Sequence, residues 1–197
     1  IDGTSVGNIT NDEGFYFIND VPAGLHNIRA QSIGFRTSIV SQQRVLAGQT
    51  HTVNHTLEQA AVEIDAIVVT GERNPLVPRD QVSTKSIVTG ETIDNLPLDN
   101  ASSIIALQPG VITTDDGLSI RGSREGEHAA YIDGVPIRNL RTGEAATVEL
   151  GTNSLAQADV TVGGISARYG NAQSGLVNYV TRTGGSQLGG SLSFLTD

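Results

Sequence analysis

The sequence contains no cysteine and no tryptophan, and only 4% of its residues are aromatic. Without cysteine the chain can form no disulfide and has no thiolate for catalysis or metal binding. Few aromatic rings and a formal net charge of −9 leave neither the stacking surfaces nor the basic patch that nucleic-acid binding requires. The sequence therefore predicts no nucleic-acid partner.

Long apolar runs are also missing. No run approaches the roughly 20 residues that a membrane-spanning helix needs, and no basic segment followed by an apolar one opens the chain as a signal peptide would. The first residues, IDGTSVGNITNDEGFYF, begin without Met as if in mid-domain, and the last, GGSLSFLTD, stop inside an alternating run. We therefore expect these 197 residues to be a piece of a longer protein whose first strands and signal peptide precede it.

Recognisable catalytic and nucleotide-binding motifs are absent. No two glycines are separated by a single residue, which excludes the dinucleotide-binding fingerprint, and no Gly-x-Ser-x-Gly elbow occurs. Two glycine pairs have the spacing of a phosphate-binding loop, but neither is followed by the lysine that such a loop needs: Gly117 with Gly122, and Gly170 with Gly175. We expect no catalytic residue, no cofactor and no enzymatic activity.

One histidine pair deserves comparison with a metal site. His51 and His55 have the i,i+4 spacing of two ligands on a helix. Their surroundings, THTVNHTL, are typical of a strand, where that spacing holds the two rings about 13 Å apart. We therefore interpret both as solvated side chains and expect no bound metal.

The first 59 residues have the pattern of a small all-β domain. Four short runs rich in β-branched or aromatic residues are separated by Gly, Pro, Asn and Asp turn signals. Four strands at this spacing predict a small β-sandwich, and its thinness indicates missing N-terminal strands. The predicted strands are Gly14 to Ile18, Leu25 to Ile33, Arg36 to Leu46 and His51 to Leu57.

Residues 81–186 have a mixed pattern that predicts an α+β unit. Two short helices are expected in TGETIDNL and DNASSIIALQPG, with Thr89 and Asp99 as N-caps. Strands are expected in STKSIVTG, LSIRG, AAYIDG, ADVTVGG and GLVNYVTRTGG, and one helical turn capped by Asn153 in SLAQA. Residues 187–197 alternate as the first strand of a following barrel would.

Residues 60–80 form a predicted linker, stiffened in its second half by Pro75 and Pro78. The linker contains a short β-branched run, Ile64 to Thr70. From propensity alone, this run is either the last strand of the preceding sandwich or an unpaired strand on a tether that is available to another sheet.

Two segments of the second unit carry a family resemblance. LSIRGSREGEHAAYIDGVPI and GGISARYGNAQSGLVNYVTRTGG contain, in order, Ile-Arg-Gly, Ile-Asp-Gly-Val-Pro, Tyr-Gly, Ser-Gly-Leu-Val-Asn and Val-Thr-Arg. This series resembles the plug domain of TonB-dependent outer-membrane transporters. Upstream, DEGFYFINDVPAGLHNIRAQSIGFRT resembles the carboxypeptidase-regulatory-like β-sandwich that precedes many such plugs.

The resemblance gives the linker strand a role, because EIDAIVVTGE resembles the TonB box that family members present to the TonB C-terminal domain. An unpaired strand can add to an exposed sheet edge and transmit a pull through main-chain hydrogen bonds. The implied TonB-binding residues are Asp65, Ala66, Ile67, Val68, Val69, Thr70 and Gly71.

The resemblance also implies contacts with a barrel and with a substrate. Arg121 corresponds to an arginine that pairs with barrel carboxylates and so helps to lock the plug in the barrel. Many members have a second basic residue of this lock before Gly-Pro, where this chain has Val162-Gly163-Gly164. Arg168 is therefore the candidate for the second half of the lock. Raised loops would contact an extracellular substrate, small or oligomeric. Mixed charge is also ordinary for exposed loops. The loop residues implied are Asp115, Asp116, Arg124, Glu125, Arg138, Asn139 and Arg141.

Together these observations predict a mainly β chain in a bacterial outer-membrane importer. The predicted organisation is a sandwich over 1–59, a linker with the TonB box over 60–80, an α+β plug over 81–186 and the start of a barrel over 187–197. Two alternatives remain open from the sequence. One is a surface or secreted adhesion or carbohydrate-binding module, and the other is an ancillary domain of an enzyme.

Overall fold

The computed structural model describes residues 1–59, 84–114, 117–124, 126–146 and 150–184, and the backbone of 67–70. The chain divides into two compact units, Ile1–Pro78 and Arg79–Asp197, which are considered separately. In the described part of the chain, no helix is both long and apolar enough to cross a membrane.

The first unit contains a three-stranded sheet in the order β1-β2-β3, formed by Gly24–Ala30, Ser38–Val45 and Ile67–Thr70. Strands β1 and β2 are antiparallel, whereas β3 runs parallel to β2 along four residue pairs, from Ser38 opposite Ile67 onwards. A parallel pair needs a long connection, which the residues between Val45 and Ile67 provide. In the part of the chain that the structure describes, β3 is an edge strand of this sheet.

A bulge interrupts the pairing of β1 with β2 between His26 and Ile28. At this point Gln42 has a φ of 55°, a left-handed conformation that is uncommon for a residue other than glycine. The amide of Gln42 donates to Asn27 Oδ1 at 3.0 Å, which compensates for the lost ladder bond. The bulge is therefore held by a side chain from the opposite strand.

Two of the four strands predicted for this unit are wrong, because neither residues 14–18 nor residues 51–57 form a strand. Residues 51–57 instead follow β2 through side-chain contacts, such as that of His55 Nδ1 with Ser38 Oγ at 3.3 Å. Tyr16 OH donates to the carbonyl of Val53 at 2.7 Å, which ties the other segment to this one. Because these segments join through side chains, the described residues of the unit contain one sheet rather than two facing sheets.

The core of the first unit is small. Ile28 and Val40 are its buried apolar residues among those described, whereas Phe15 and Phe17 are 68% and 69% exposed. Little apolar area is therefore removed from water in the described part of this unit, as expected for a domain at the lower end of the size range.

The second unit is built on a five-stranded sheet in the order β4-β9-β10-β7-β8, in which only the β10–β7 pair is parallel. A separate antiparallel pair is formed by β5 and β6. The strands are β4 (Thr84–Thr89), β5 (Val111–Thr114), β6 (Gly117–Ile120), β7 (Ala129–Ile132), β8 (Val135–Ile137), β9 (Leu155–Gly163) and β10 (Leu176–Thr181). The five strands predicted within residues 81–186 are confirmed, and β5 and β8 were not predicted.

Both predicted helices are present, as α1 (Gly90–Asp94) and α2 (Ala101–Ala106). Thr89 is the N-cap of α1, as predicted. The predicted cap of α2 is wrong by one residue, because Asn100 rather than Asp99 accepts a hydrogen bond from the amide of Ser103, at 2.9 Å.

The helical turn predicted over SLAQA is also wrong. A single 3-10 turn, Thr152–Ser154, ends at the first residue of this segment, and Leu155 begins β9. Strand β9 is paired on both sides, with β4 and with β10, and its alternation buries Ala158 and Val160. These tertiary contacts override a local helical preference.

The core of the second unit forms where both short helices pack against β9. Ile104 and Ile105 of α2 are completely buried, and Ile93 of α1 and Val177 of β10 are each 1% exposed. Burial of these side chains, rather than the propensity of helices of five and six residues, is what stabilises α1 and α2.

Gly175 offers a test of how tightly this core is packed. A Cβ at Gly175 would lie 2.8 Å from both Cδ1 and Cγ2 of Ile120, which is completely buried, whereas nothing lies within 4 Å of a Cβ at Gly170. We expect Gly175→Ala to lower the free energy of unfolding by about 1–3 kcal/mol through overpacking. Gly170→Ala is the matched control and should change it by less than about 0.5 kcal/mol. Urea unfolding followed by circular dichroism measures both, and equal effects would contradict this packing.

Candidate functional site

Arg121 lies at a sharp turn that directly follows β6. Its φ is 56°, and its amide donates to the carbonyl of Gly110 at 2.7 Å. Gly122 continues the turn with a φ of 72°. The Ile-Arg-Gly motif therefore ends a buried strand and turns an arginine outward, since Ile120 is completely buried and Arg121 is exposed.

The guanidinium of Arg121 is available for an external partner. No carboxylate in the described part of the chain forms an ion pair with it. Its Nη1 atom lies beside Gly163, 3.8 Å from the position that a Cβ there would occupy. Arg121 therefore lies next to the segment Val162-Gly163-Gly164. This is the segment in which the resemblance led us to expect a second basic residue of the lock, and it contains none.

Arg168, the second predicted lock residue, is engaged within its own unit. Its Nη2 donates to the hydroxyl of Tyr169 at 2.8 Å, and its Cζ lies 4.7 Å from the centre of that ring. Tyr169 in turn packs edge-on against Tyr131, with ring centres 5.2 Å apart. The described contacts place Arg121 and Arg168 in different clusters, with Arg168 held over an aromatic pair.

The predicted substrate contacts lie in three loops, and the structure brings two of them together: a first over residues 123–124 and 126–127 and a second over residues 138–144, whereas the third spans residues 113–117. The amide of Ala145 donates to the carbonyl of Gly126 at 3.4 Å, and a Cβ at Gly126 would lie 2.7 Å from that of Glu144. Within the second loop, Asn139 Oδ1 accepts from the amide of Arg141 at 3.0 Å. Arg124, Arg138 and Arg141 are all exposed. These loops therefore form one surface bearing three cationic side chains.

A small cleft of about 20 Å³ opens beside these loops. His128 lines it and is only 8% exposed, and its Nδ1 has no hydrogen-bond partner in the described part of the chain. Burial lowers the pKa of His128 below its ordinary value of 6.5, so the ring is neutral at neutral pH. The cleft has room for about one water molecule. Its other lining residues include Gly126, Arg138, Gly143 and Asn171.

Several predicted residues cannot be placed. Asp65, Ala66, Gly71, Asp115, Asp116 and Glu125 lie outside the described residues, as do the predicted linker except Ile67–Thr70 and the predicted barrel start. The remaining residues of the predicted TonB box, Ile67–Thr70, form β3, which pairs with β2. The expectation of an unpaired strand is therefore wrong for these four residues, which are the last strand of the first unit's sheet. Among the described residues, the other edge of β3 has no partner, and an edge of this kind can pair with another strand.

An ion pair that no sequence pattern predicted joins the partly buried Lys85 to the buried Asp159. Lys85 Nζ lies 3.2 Å from Asp159 Oδ2, and the two side chains are 16% and 2% exposed. Asp159 Oδ1 also accepts from the side-chain amides of Gln157 and Asn178, at 2.9 and 3.3 Å. The carboxylate is thus bonded from three strands, which an isolated buried charge requires.

The sequence motifs of the resemblance serve mainly to hold this unit together. Asp133 of Ile-Asp-Gly accepts from the amide and the hydroxyl of Thr181 at 2.9 and 2.7 Å, which joins it to Val-Thr-Arg. Arg182 donates through its backbone amide to Ser154 and through Nε to Leu155, both at 2.9 Å, and pairs with Asp94. Their partners all lie within this unit, so these residues fix the fold rather than bind a ligand.

His128 gives a pH prediction. Because burial lowers its folded pKa, the unfolded chain binds a proton on this ring at a pH where the folded chain does not. Stability is therefore full above about pH 6.5 and falls as the pH drops towards the lowered folded value. We expect the Hε1 resonance of His128 to titrate below pH 6.5 in NMR, and His128→Gln to remove that resonance and flatten the change in urea midpoint between pH 7.5 and 5.5. An NMR titration midpoint of His128 at or above pH 6.5 would contradict the burial of this ring.

Comparisons with known proteins find one family model and several similar proteins. A family model described as the TonB-dependent Receptor Plug Domain matches residues 77–177. The TonB-dependent transporter Oar of Myxococcus xanthus is 26% identical over 192 residues, which cover 93% of this chain but only 18% of that protein. Two similar solved structures from Pseudomonas aeruginosa are a ferric enterobactin receptor mutant in complex with enterobactin and the siderophore receptor PirA. The enterobactin receptor is 26% identical with a TM-score of 0.45, and the match covers 52% of this chain and 18% of that chain. PirA is 30% identical with a TM-score of 0.42, and the match covers 53% of this chain and 19% of that chain.

These relatives are receptors and transporters rather than enzymes, and receptors of this class are proteins of the bacterial outer membrane. The family model covers just over half of the chain, including every strand of the second unit from β4 onwards, with β10 matched at its start. The chain belongs to the TonB-dependent receptor plug domain family.

Proposed function

We propose that this chain is the N-terminal and plug portion of an active transporter that imports a substrate across the outer membrane. The chain spans 18% of the length of the curated relative that it matches, so a complete transporter of that size would supply the barrel from the remainder. In this proposal the unit Arg79–Asp197 closes the barrel, and the first unit is a carboxypeptidase-regulatory-like domain in the periplasm.

The observation that carries the proposal is the position of β3. Directly before the plug match, Ile67–Thr70 forms an extended strand at the end of a sheet, with one edge paired and the other without a partner among the described residues. A strand from the TonB C-terminal domain can pair along that open edge through main-chain hydrogen bonds. TonB would then pull on the chain at a point just N-terminal to the plug.

To keep the barrel closed, the plug must stay bound to the barrel wall until TonB pulls on the chain. Arg121 is exposed, is fixed in direction by a left-handed turn and has no ion-pair partner among the described residues. A barrel carboxylate would satisfy it, and a charged pair enclosed in a lumen is stronger than one in open solvent. Arg168 contributes less in this proposal, since its guanidinium is already stacked on Tyr169.

The joined loops supply the surface that would face the substrate. Arg124, Arg138, Asn139 and Arg141 are exposed on it, close to the cleft that His128 lines. The same loops also carry Glu127 and the exposed Glu144, so the surface is mixed in charge and favours a polar substrate with both hydrogen-bond donors and acceptors. Membership of the plug family favours this importer over the adhesion or carbohydrate-binding module that the sequence alone left open.

A pull-down with the TonB C-terminal domain tests the coupling step. We expect the unmodified chain to be retained and Val68→Pro to lose most of the binding, because proline removes a main-chain donor from a four-residue strand. Val68→Thr is the matched control, since it keeps both the amide and the β-branched shape, and it should bind as the unmodified chain does.

Equal retention of the unmodified chain and Val68→Pro would show that strand pairing at Ile67–Thr70 is not how TonB binds. Loss of binding in Val68→Thr as well would point to the side chain rather than to the backbone. Far-ultraviolet circular dichroism of each variant checks that the sheet is intact.

A further inference from the structure

Strand β4 is where a pull on β3 first reaches the plug. Only residues 71–83 lie between Thr70 and Thr84 along the chain, and Thr84 is the first residue of β4. Any load that TonB applies at Ile67–Thr70, as the proposed function requires, is therefore carried by the covalent chain into this strand.

Strand β4, like β8 at the other end of the sheet, can leave by breaking a single ladder, and β4 is the one of the two that the load reaches along the chain. It lies at one end of the order β4-β9-β10-β7-β8, so its departure breaks only the ladder with β9. The pairing of β9 with β10, β10 with β7 and β7 with β8 is unaffected. A strand from the middle of the sheet would have to break two ladders at once.

Few side chains hold β4 in place. Val88 is its only fully buried residue, at 7% exposed, and the remaining residues of the strand are half-buried or exposed. Lys85 is the exception among the polar side chains, because it reaches across to β9. It lies opposite Thr161 in the ladder, on the same face as Asp159, and its Nζ is 3.2 Å from Asp159 Oδ2. Diagonal neighbours at this spacing are within reach of a long side chain.

Asp159 is anchored independently of β4. Its Oδ1 accepts from Gln157 on the same strand and from Asn178 on β10, and the residue is 1% exposed. The carboxylate therefore stays on the sheet when β4 leaves, and Lys85 is the partner that moves. Loss of one partner from a buried ion pair is strongly unfavourable, because the other charge remains buried without compensation.

We propose that the Lys85–Asp159 ion pair is the latch that holds β4 on the sheet until TonB pulls. Among the described residues it is the first ion pair across the sheet that the load meets, one residue after the strand begins, beside the register shift between Thr84 and Lys85. Once it breaks, the next ties in chain order are Val88 and then Ile93 of α1. The plug thus opens from β4 onwards, while the sheet from β9 to β8 stays paired.

The absence of cysteine from the chain allows a direct test with reporter thiols. Val88→Cys places a buried thiol on β4, and Val177→Cys places one on β10, at a position that is 1% exposed. The rate at which a thiol reagent labels each of them under native conditions reports how often that strand opens. Each reporter is measured in the 197-residue chain with Lys85 intact and with Lys85→Met, which keeps the length of the side chain but removes its charge.

We expect Lys85→Met to raise the labelling rate of the β4 reporter at least tenfold and that of the β10 reporter less than twofold. Lys85→Arg retains a positive charge at this position and should label more slowly than Lys85→Met. An equal rise in the labelling rate at both reporters would mean that the ion pair stabilises the whole unit. No rise at either reporter would mean that the ion pair does not hold β4 on the sheet. Each result would overturn the proposed latch.

If Lys85→Met does not fold by circular dichroism, Lys85→Gln takes its place with the same expected outcomes. The labelling assay contains no TonB, so its result is separate from that of the Val68→Pro pull-down. A latch that fails this assay leaves TonB coupling intact, and a chain that does not bind TonB can still have a detachable β4.

Discussion

The structure of the plug depends on a constraint at β9: the strand is paired on both sides and buried on both faces. One face carries Ala158 and Val160 into the core beneath the helices, and the other carries Gln157, Asp159 and Thr161. An apolar face needs only close packing, but a buried polar face needs a partner for each group. The side chains of Lys85 and Asn178 from the two flanking strands meet that need at Asp159, so the polar face determines which strands lie beside β9.

This constraint explains which features were predictable from the sequence. Strands with turn glycines at their ends, such as those in LSIRG and AAYIDG, were identified from local pattern, because the local signals agree with the tertiary structure. The Lys85–Asp159 pair was not, since the two residues are distant in sequence and meet only through the pairing of β4 with β9. The same reason accounts for the error at SLAQA, where pairing on both sides overrode a local helical signal. In the first unit, residues 51–57 have strand composition but contact β2 through side chains such as His55.

Sheet edges connect the two steps of the proposed transport cycle. The segment proposed for TonB binding is an edge strand, and so is the strand that first receives the load, although they belong to different sheets. An edge strand combines two properties that a mechanical switch needs: it presents backbone groups to a partner, and it can leave by breaking one ladder. Soluble proteins usually protect such edges against unwanted pairing. In the plug, the described ties of β4 to the sheet are few, and one of them is a charged pair.

The motifs by which this plug resembles its relatives are mostly those whose partners lie inside the unit. Asp133 contacts Thr181, Arg182 contacts Leu155 and Gly175 leaves room for Ile120. Such residues are recognisable because their partners are fixed by the fold. Arg138 and Arg141 lie in exposed loops instead, and in the proposed function their partners are a barrel or a substrate outside the chain. Arg121 links the two groups, since the fold fixes its backbone through the amide bond to Gly110 and leaves its guanidinium for an external partner. Similarity of motifs therefore identifies the plug readily.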